Sequence, residues 1–302
     1  MKTIPNDSLA KPFSRSLVKI DGGKVNCISS ETQFNQADIV FVHATGFNAR
    51  TYLPLYQQLI TNHSISALDM RGHGHSTLDN QVSFSNWHIY RDDLISFLEN
   101  FSQPPVLVGH SMGGTVSLLT AAKRPDLMRS VIAFDPPILP RILQLLMRSK
   151  TFQTRFRKYN PLVMSARNRR RTFDDLSSAI ARYENKLPFA KWQDGFLGNY
   201  LQDGLRKHNG TMQLSCNPEW EVKTYMAHGH DIWGALKSTK RAALLVGGDS
   251  KGTVLTDSRL RQLEKLNPLI QTKSIPNSGH FLPMEKPELA TQIISDFIGD
   301  QT

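Results

Sequence analysis

Residues 106–114 read VLVGHSMGG, and this stretch decides the fold class. Its first residues form a short apolar run typical of a buried strand, and residues 111–123 have the pattern of a helix. Ser111 therefore lies at a sharp strand-to-helix turn. Gly109 and Gly113 flank that turn two residues away on each side, where larger side chains would clash with the adjoining strand and helix.

The alternation of strand and helix continues on both sides of this turn. Because Gly22 and Gly23 suit a tight turn, the sequence predicts a hairpin over residues 16–29. It further predicts strands over 38–43, 64–69, 105–109, 130–134, 242–246 and 270–275, and helices over 48–61, 86–101, 111–123, 257–266 and 285–298. Short apolar strands alternating with amphipathic helices indicate an α/β fold, a mainly parallel, doubly wound sheet covered on both faces.

The composition excludes several classes of protein. The chain has 302 residues, of which 39% are apolar and 21% charged, so a disordered protein is excluded. No run of about 18 apolar residues occurs, which excludes a transmembrane protein. Residues 1–16 lack the apolar region of a secretory signal. The two cysteines, Cys27 and Cys216, make neither a disulfide framework nor a zinc site, so we expect reduced thiols in a cytoplasmic protein.

The net charge of +10 lies in one internal segment. Residues 136–240 contain 18 Lys and Arg against 8 Asp and Glu, and the rest of the chain is balanced. A segment with its own charge balance is expected to be its own structural unit. The predicted organisation is therefore an N-terminal tail over 1–15, a core over 16–135 and 241–302, and a basic helical cap over 136–240.

The basic cap has three interpretations. Residues 141–148 combine an apolar stripe with basic flanks, as in a helix over an active site or on a membrane surface. The three interpretations are that the basic residues form a solvated face, that they attract an anionic substrate, or that they contact an anionic membrane or partner. Nucleic acid is not expected, because no aromatic stacking set or known binding module accompanies the charge.

Four motifs, taken in order, carry a resemblance. They are 43–46 (HATG), 69–76 (DMRGHGHS, the pattern D-x-R-G-x-G-x-S), 109–114 (GHSMGG) and 278–280 (SGH). Together they resemble the α/β-hydrolase family, in its serine-hydrolase, esterase-like branch, with eight strands and a helical cap inserted after the sixth strand. The resemblance covers about residues 16–298.

The resemblance implies a role for several residues. Ser111 would be the nucleophile on its strand-to-helix elbow, and His280, in a loop with Gly279 before and Pro283 after it, would be the base. The backbone N–H of Met112 would hold the oxyanion. The second donor would come from the loop after the third strand, where Thr45 is expected. Gly46 is the alternative, because Ala44 replaces the family's usual glycine.

The acid has two candidates. The resemblance implies an acid after the seventh strand, at the fourth place of a G-x-x-D pattern that begins here at Gly247. Ser250 holds that place, and Asp249 lies one step earlier. Family members with an acid after the sixth strand also exist, and Asp135 stands there. From the loop register we favour Asp249, with Asp135 as the alternative.

The expected activity is hydrolysis of a small-molecule carboxylic ester through an acyl-enzyme. One form of this expectation is an ester substrate that has an acyl chain and a negative charge. No metal or organic cofactor is implied. The same residues would serve a C–C bond hydrolase, an amidase, a thioesterase or a cofactor-free haloperoxidase. A serine nucleophile argues against epoxide hydrolases and haloalkane dehalogenases, which need a carboxylate. A non-catalytic protein that binds a small ligand in the same pocket is the alternative from another class.

Overall fold

A computed structural model describes residues 9–147 and 149–300. Its strands are β1 (Ser14–Ile20), β2 (Gly23–Ser29), β3 (Ile39–Val42), β4 (Ile65–Leu68), β5 (Val106–His110), β6 (Val131–Phe134), β7 (Thr172–Phe173), β8 (Leu205–His208), β9 (Thr211–Leu214), β10 (Ala243–Gly248) and β11 (Ile270–Ile275).

The α-helices lie between and after these strands. They are α1 (Leu53–Leu59), α2 (His88–Leu98), α3 (Met112–Lys123), α4 (Arg141–Leu146), α5 (Lys150–Tyr159), α6 (Pro161–Arg167), α7 (Leu176–Tyr183), α8 (Phe196–Gly204), α9 (Pro218–Met226), α10 (Ile232–Ser238), α11 (Asp257–Glu264), α12 (Leu282–Glu285) and α13 (Pro287–Gly299). Within the described ranges, none of the helices combines the length and the apolar character needed to cross a bilayer.

The central sheet has eight strands in the order β1-β2-β4-β3-β5-β6-β10-β11. Strand β2 pairs antiparallel with β1 and with β4, and the other neighbours are parallel. The mainly parallel eight-stranded α/β sheet confirms the predicted fold class, and the opening hairpin lies where the sequence predicts it. The carboxyl ends of the parallel strands meet at one edge, which is where ligands bind in such sheets.

Two apolar layers, one on each face, hold the sheet. Alternate side chains of β3 show the division: Val40 and Val42 point into one buried cluster, and Ile39 and Phe41 point into the other. The first cluster includes residues of α2, α3, α10 and α11, and the second includes residues of α1, α8 and α13. Burial on both faces explains why the strands read as continuous apolar runs.

The segment between β6 and β10 holds helices α4–α10, but it also holds a second sheet. Strands β7, β9 and β8 form a three-stranded antiparallel sheet, so the inserted segment is mostly helical, as predicted, and carries in addition a small sheet that is not predicted from the sequence. The β8–β9 turn is Asn209-Gly210, with φ values of +46° and +81°. Asn-Gly is the residue pair that two-residue hairpin turns prefer, because both positions need positive φ.

The predicted division of the chain at 135 and 241 stays a prediction. At its far end, the inserted segment shares a core with the sheet layer, since α10 packs on α3. Residues 1–8 of the predicted tail lie outside the described residues, as does Arg148 at the end of the predicted cap helix.

Candidate active site

The turn between β5 and α3 places Ser111 above the edge of the sheet. Ser111 has φ +53° and ψ −119°, a backbone conformation that non-glycine residues rarely adopt and that is typical of functional sites. A Cβ on Gly109 would lie 2.4 Å from the carbonyl carbon of Gly113, and a Cβ on Gly113 would lie 2.0 Å from the oxygen of Val42. Both positions therefore require glycine, for the steric reason inferred from the sequence.

Ser111 and His280 contact each other although 169 positions separate them. Ser111 Oγ lies 3.0 Å from His280 Nε2. The other ring nitrogen of His280, Nδ1, lies 2.6 Å from Oδ2 of Asp135. A carboxylate at Nδ1 keeps the proton on that nitrogen, so that Nε2 is free to accept the proton of the serine hydroxyl.

Asp135, and not Asp249, is the carboxylate at His280, which corrects the choice favoured from loop register. Asp249 is exposed and accepts a hydrogen bond from the backbone N–H of Asn277 at 2.7 Å. Asn277 has φ +54°, so Asp249 pins a strained position in the loop that leads to His280. Ser250, at the register position of the G-x-x-D pattern, donates its hydroxyl to Asp249 at 3.3 Å.

The path of the loop after β10 explains this placement. A Cβ on Gly247 would lie 2.1 Å from the oxygen of Leu255, so the loop folds back closely over the end of its own strand. The backbone N–H of Leu255 then donates to Asp135 at 2.7 Å, that of Val254 at 2.9 Å, and the hydroxyl of Thr253 at 2.9 Å. The loop after β10 therefore supplies hydrogen-bond donors to Asp135 and not a carboxylate to His280.

These donors also determine the charge of Asp135. Burial by itself would raise its pKa. The hydrogen bonds from His280, Leu255 and Val254 and the positive field of His280 outweigh that effect, and the pKa of Asp135 lies below its ordinary value. Asp135 is therefore a carboxylate at neutral pH.

The loop after β3 separates the two candidates for the second oxyanion donor. The N–H of Gly46 already donates to Nε2 of His73 at 3.0 Å, and that of Phe47 donates to the oxygen of Ala44 at 3.2 Å. The N–H groups of Thr45 and Met112 have no acceptor among residues 9–147 and 149–300. A Cβ on Gly113 would lie 2.8 Å from the oxygen of His43, so this loop and the start of α3 are adjacent. The geometry favours Thr45 over Gly46.

Two buried histidines hold this loop in place. His43 donates from Nδ1 to the oxygen of Ala44 at 2.8 Å and accepts the N–H of Met70 at Nε2, 2.9 Å away. His73 donates from Nδ1 to the oxygen of Arg71 at 2.9 Å and accepts from Gly46. Burial lowers the pKa of His43 to about 4 and that of His73 to about 3, so both are neutral at pH 7.

A third buried histidine links the loops of the site. Nε2 of His110 donates to the carbonyl oxygen of His280 at 2.7 Å, and Nδ1 accepts the hydroxyl proton of Tyr52 at 2.7 Å. The Tyr52 oxygen in turn accepts the N–H of Ala44 at 3.2 Å. Sequence reasoning does not find Tyr52, because it lies 58 residues before His110 with no local signal that points to it.

Aromatic side chains surround the site. The Phe47 ring lies 5.0 Å from the Tyr200 ring, 5.4 Å from the Trp192 ring and 5.9 Å from the Phe281 ring, measured between centroids. Phe281 follows His280 directly. The inserted segment thus contributes Trp192 and Tyr200 to an apolar wall beside Ser111 and His280.

The basic cluster at 169–171 is partly neutralised by ion pairs. Arg169 lies 3.0 Å from the carboxylate of the buried Glu221, and Arg171 lies 3.4 Å from that of Glu219. Burial raises the pKa of Glu221, although Arg169 opposes that shift. The Arg169–Glu221 pair rests against the loop after β3, where a Cβ on Gly46 would lie 2.8 Å from Oε1 of Glu221.

Comparison with known proteins identifies the family. A model described as "Alpha/beta hydrolase family" matches residues 39–291. This chain belongs to the α/β-hydrolase family. The match spans the sheet from β3 to β11 and includes Ser111, Asp135 and His280.

Several proteins that are similar to this α/β-hydrolase carry the names of enzymes. A 2-(acetamidomethylene)succinate hydrolase of Mesorhizobium japonicum is 25% identical over 263 residues, which are 86% of this chain and 87% of that protein. A human monoglyceride lipase is 29% identical over 130 residues, 41% of this chain and 43% of that protein. The crystal structure of E-2-(acetamidomethylene)succinate hydrolase superposes with a TM-score of 0.75 at 22% identity, covering 95% of this chain and 99% of that one. This α/β-hydrolase is an enzyme, and its relatives include hydrolases and lipases.

Proposed function

We propose that this α/β-hydrolase is a serine hydrolase that cleaves carboxylic esters through an acyl-enzyme. One observation carries the proposal, namely the unbroken contact from Ser111 Oγ through the His280 ring to Asp135, with distances of 3.0 and 2.6 Å. A serine hydroxyl is a weak nucleophile until a base takes its proton, and this contact supplies both the base and the group that orients it.

In the acylation step, Ser111 Oγ bonds to the ester carbonyl carbon while its proton passes to His280 Nε2. The carbonyl oxygen becomes an oxyanion, which the N–H groups of Met112 and Thr45 hold. The carbon–oxygen bond to the alcohol then breaks, and the leaving alkoxide takes the proton from His280. Asp135 stays ionised throughout and stabilises the imidazolium.

In the deacylation step, water takes the place of the alcohol. His280 removes a proton from the water, whose oxygen bonds to the acyl carbon, and a second oxyanion forms at the same two N–H groups. The bond between Ser111 Oγ and the acyl carbon breaks, and the proton on His280 returns to Oγ. The carboxylic acid product leaves and the enzyme is restored.

The surroundings of Ser111 support an acyl group with apolar surface. Phe47, Trp192, Tyr200 and Phe281 lie together beside the reactive residues, and aromatic walls bury apolar ligand surface well. The similarity to a human monoglyceride lipase is consistent with an ester of this kind.

A reducing, cytoplasmic compartment is part of the proposal. Cys27 and Cys216 are free thiols, and both are buried. Burial raises the pKa of Cys27 to about 12, which keeps it protonated and unreactive. Cell fractionation of the expressed protein, followed by immunoblotting, checks the compartment. Recovery from an oxidising compartment would contradict it.

The test combines a substrate series with a covalent probe. The protein should hydrolyse p-nitrophenyl esters, and the chain-length series from acetate to palmitate should show the acyl preference. A fluorophosphonate should add its mass to the peptide that contains Ser111. The Ser111→Ala variant should lose labelling and about 10⁶-fold in kcat.

Ser117→Ala is the matched control, because Ser117 lies in α3, the helix that follows Ser111, and donates its hydroxyl to the oxygen of Gly113 at 2.8 Å. It should fold, hydrolyse esters and be labelled like the wild type. A folded protein that is not labelled at Ser111, or that hydrolyses thioesters but no oxygen ester, would overturn the proposal.

A further inference from the structure

The whole net charge of the chain lies in 38 consecutive residues. Between Pro136 and Phe173 the sequence has ten Lys and Arg and no Asp or Glu, and the remaining residues carry 26 of each sign. Asp135 precedes this stretch and Asp174 follows it. The positive charge is therefore concentrated on α4, α5, α6 and the loop to β7, which we call the basic segment (residues 136–173).

The same segment holds most of the large apolar side chains that are exposed among the described residues. On α4, Ile142, Leu145 and Leu146 are 66%, 55% and 42% exposed, and their spacing of i, i+3 and i+4 places them on one face. In the described residues nine large apolar side chains are exposed, and six of them lie in this segment; the other three of the six are Tyr159, Leu162 and Met164. Apolar surface concentrated in this way marks an interaction site.

Helix α5 presents cations and hydroxyl groups along one face. Thr151, Arg155, Lys158 and Tyr159 line a shallow, open groove of about 550 Å³ together with Thr154. Among the described residues, no carboxylate lies within 4.0 Å of Arg155 or Lys158, in contrast to the paired Arg169 and Arg171. Lys158 Nζ lies 5.4 Å from the centroid of the Tyr159 ring, and cations without a carboxylate partner suit the phosphate oxygens of lipid headgroups.

We propose that the basic segment docks on the surface of a membrane that contains anionic phospholipids. The apolar face of α4 inserts among the acyl chains, and Arg155 and Lys158 bind headgroup phosphates from α5. The apolar face of α4 and the cations of α5 are both needed, because apolar side chains combined with basic ones are the pattern of segments that lie in the membrane interface. Neither half depends on the proposed ester hydrolysis.

Both ends of the basic segment join the edge of the sheet that carries Ser111. The segment begins directly after Asp135, whose carboxylate holds His280. Near its other end, Arg169 Nη1 lies 3.5 Å from the place where a Cβ on Gly46 would be. A docked basic segment would therefore connect the membrane surface to Asp135 and to the loop after β3, which are both parts of the candidate active site.

The test is sedimentation of the full-length protein with vesicles. One set is phosphatidylcholine alone, and the other contains about one-third phosphatidylserine. We expect at least about 10-fold stronger binding to the anionic set, and weaker binding as ionic strength rises from about 0.01 M to about 0.15 M. Since each Lys or Arg near an anionic surface strengthens binding about 5-fold, Arg155→Gln with Lys158→Gln should weaken it about 10-fold or more.

Matched variants test the apolar half. Ile142→Ser with Leu145→Ser should reduce binding at least about 10-fold, since each removes a side chain that would be buried in the membrane. Leu17→Ser is the control, because Leu17 is 54% exposed but lies on β1. Lys19→Gln with Lys24→Gln is the corresponding charge control, on the hairpin that β1 forms with β2. Both controls should bind like the wild type.

Two results would overturn the proposal. One is equal binding to neutral and anionic vesicles. The other is unchanged binding by the α4 variants together with displacement from vesicles by a soluble polyanion such as an oligonucleotide, which would mean that the segment recognises charge alone. Circular dichroism of each variant confirms that it is folded, and all the substituted side chains are exposed.

Discussion

His110 holds His280: Nε2 of His110 lies 2.7 Å from the carbonyl oxygen of His280, 170 positions along the chain. The residue before Ser111 is thereby bonded to the backbone of the residue that we propose as the base. On its other nitrogen, His110 accepts from Tyr52, whose oxygen accepts the N–H of Ala44. One buried chain of hydrogen bonds therefore joins the turn at Ser111, the loop of His280 and the loop of Thr45, and we interpret His110 and Tyr52 as positioning residues.

Removal of the Tyr52 hydroxyl should disturb catalysis more than substrate binding. Tyr52→Phe leaves His110 Nδ1 and the Ala44 N–H buried without partners, which should lower the free energy of unfolding by about 1–3 kcal/mol. Because the loop of His280 and the loop of Thr45 would shift, kcat should fall about 10-fold to 100-fold with little change in KM. Tyr56→Phe is the control, since Tyr56 donates only to the oxygen of Ala49 at 3.0 Å. Equal losses of kcat in both variants would remove the positioning role.

The two aspartates should differ sharply when each is changed to asparagine. Asp135→Asn should lower kcat on the order of 10⁴-fold, because an amide at His280 Nδ1 favours the wrong tautomer of the imidazole. Asp249→Asn should change kcat less than about 10-fold, because the hydrogen bonds of Asp249 are to Asn277 and Ser250 and not to His280. Measurement of kcat on one ester for both purified variants decides the ranking. A larger loss in Asp249→Asn would return the role to Asp249.

Acid should weaken the fold at a pH where most carboxylates are still ionised. Burial lowers the pKa of six histidines, and for four of them the pKa falls to about 4 (His43 and His228) or about 3 (His73 and His110). Below about pH 6.5 the unfolded chain binds protons on these rings and the folded protein does not, so the stability is present above pH 6.5 and is lost as the pH falls toward 4. Each of these four histidines should lower the free energy of unfolding by about 1.4 kcal/mol at pH 5.5.

Urea denaturation at about pH 7.5 and about pH 5.5 measures this loss. His228→Gln should reduce the difference between the two values by the contribution of one histidine, because its neutral amide takes up no proton. His208→Gln, on the exposed end of β8, should leave the difference unchanged. An unfolding free energy that stays constant across this range would contradict the buried, neutral state of the four rings.

Alanine at position 46 should displace the loop after β3, which in our proposal supplies the second oxyanion donor. Gly46 has φ +81°, and a Cβ there would lie 2.8 Å from Oε1 of Glu221. Gly46→Ala should therefore move the neighbouring Thr45 N–H, and the loss of one oxyanion donor costs about 10²–10³ in kcat. Gly198→Ala is the control, because α8 leaves open space around Gly198. The two kcat values, compared at equal folded fractions, give the result; an unchanged kcat in Gly46→Ala would argue against Thr45 as a donor.

Local sequence predicted most of the fold because the relevant forces are local. The inner parallel strands β3, β4, β5, β6 and β10 are buried on both faces and so read as mostly apolar runs, as in Val131–Phe134. The hairpin β8–β9 was equally local, since Asn209-Gly210 carries its turn signal. The segment that contains this hairpin is predicted as helical, and the prediction does not use this turn signal. A resemblance, combined with glycine spacing, indicated Ser111 and His280 as the reactive pair.

The choice between Asp135 and Asp249 depended on three dimensions. Both follow strands of the same sheet, and the sequence places each at the correct edge. The loop after β10 folds back so that Val254 and Leu255 donate to Asp135, and this path depends on the space that Gly247 leaves against Leu255. A loop path is a result of packing between distant segments, and no periodicity in the chain encodes it.

By itself, the sequence determined the α/β class, the turn at Ser111, the glycines that this turn requires and the location of the charge. These follow from steric limits and burial patterns within a few residues of each other, where chain connectivity already brings the atoms together. Only the tertiary structure decided that Asp135 meets His280, that Tyr52 and His110 link the loops, and that Arg169 is paired with Glu221. Such contacts join residues tens to hundreds of positions apart, and hydrogen-bond distances between them exist only once the sheet has packed.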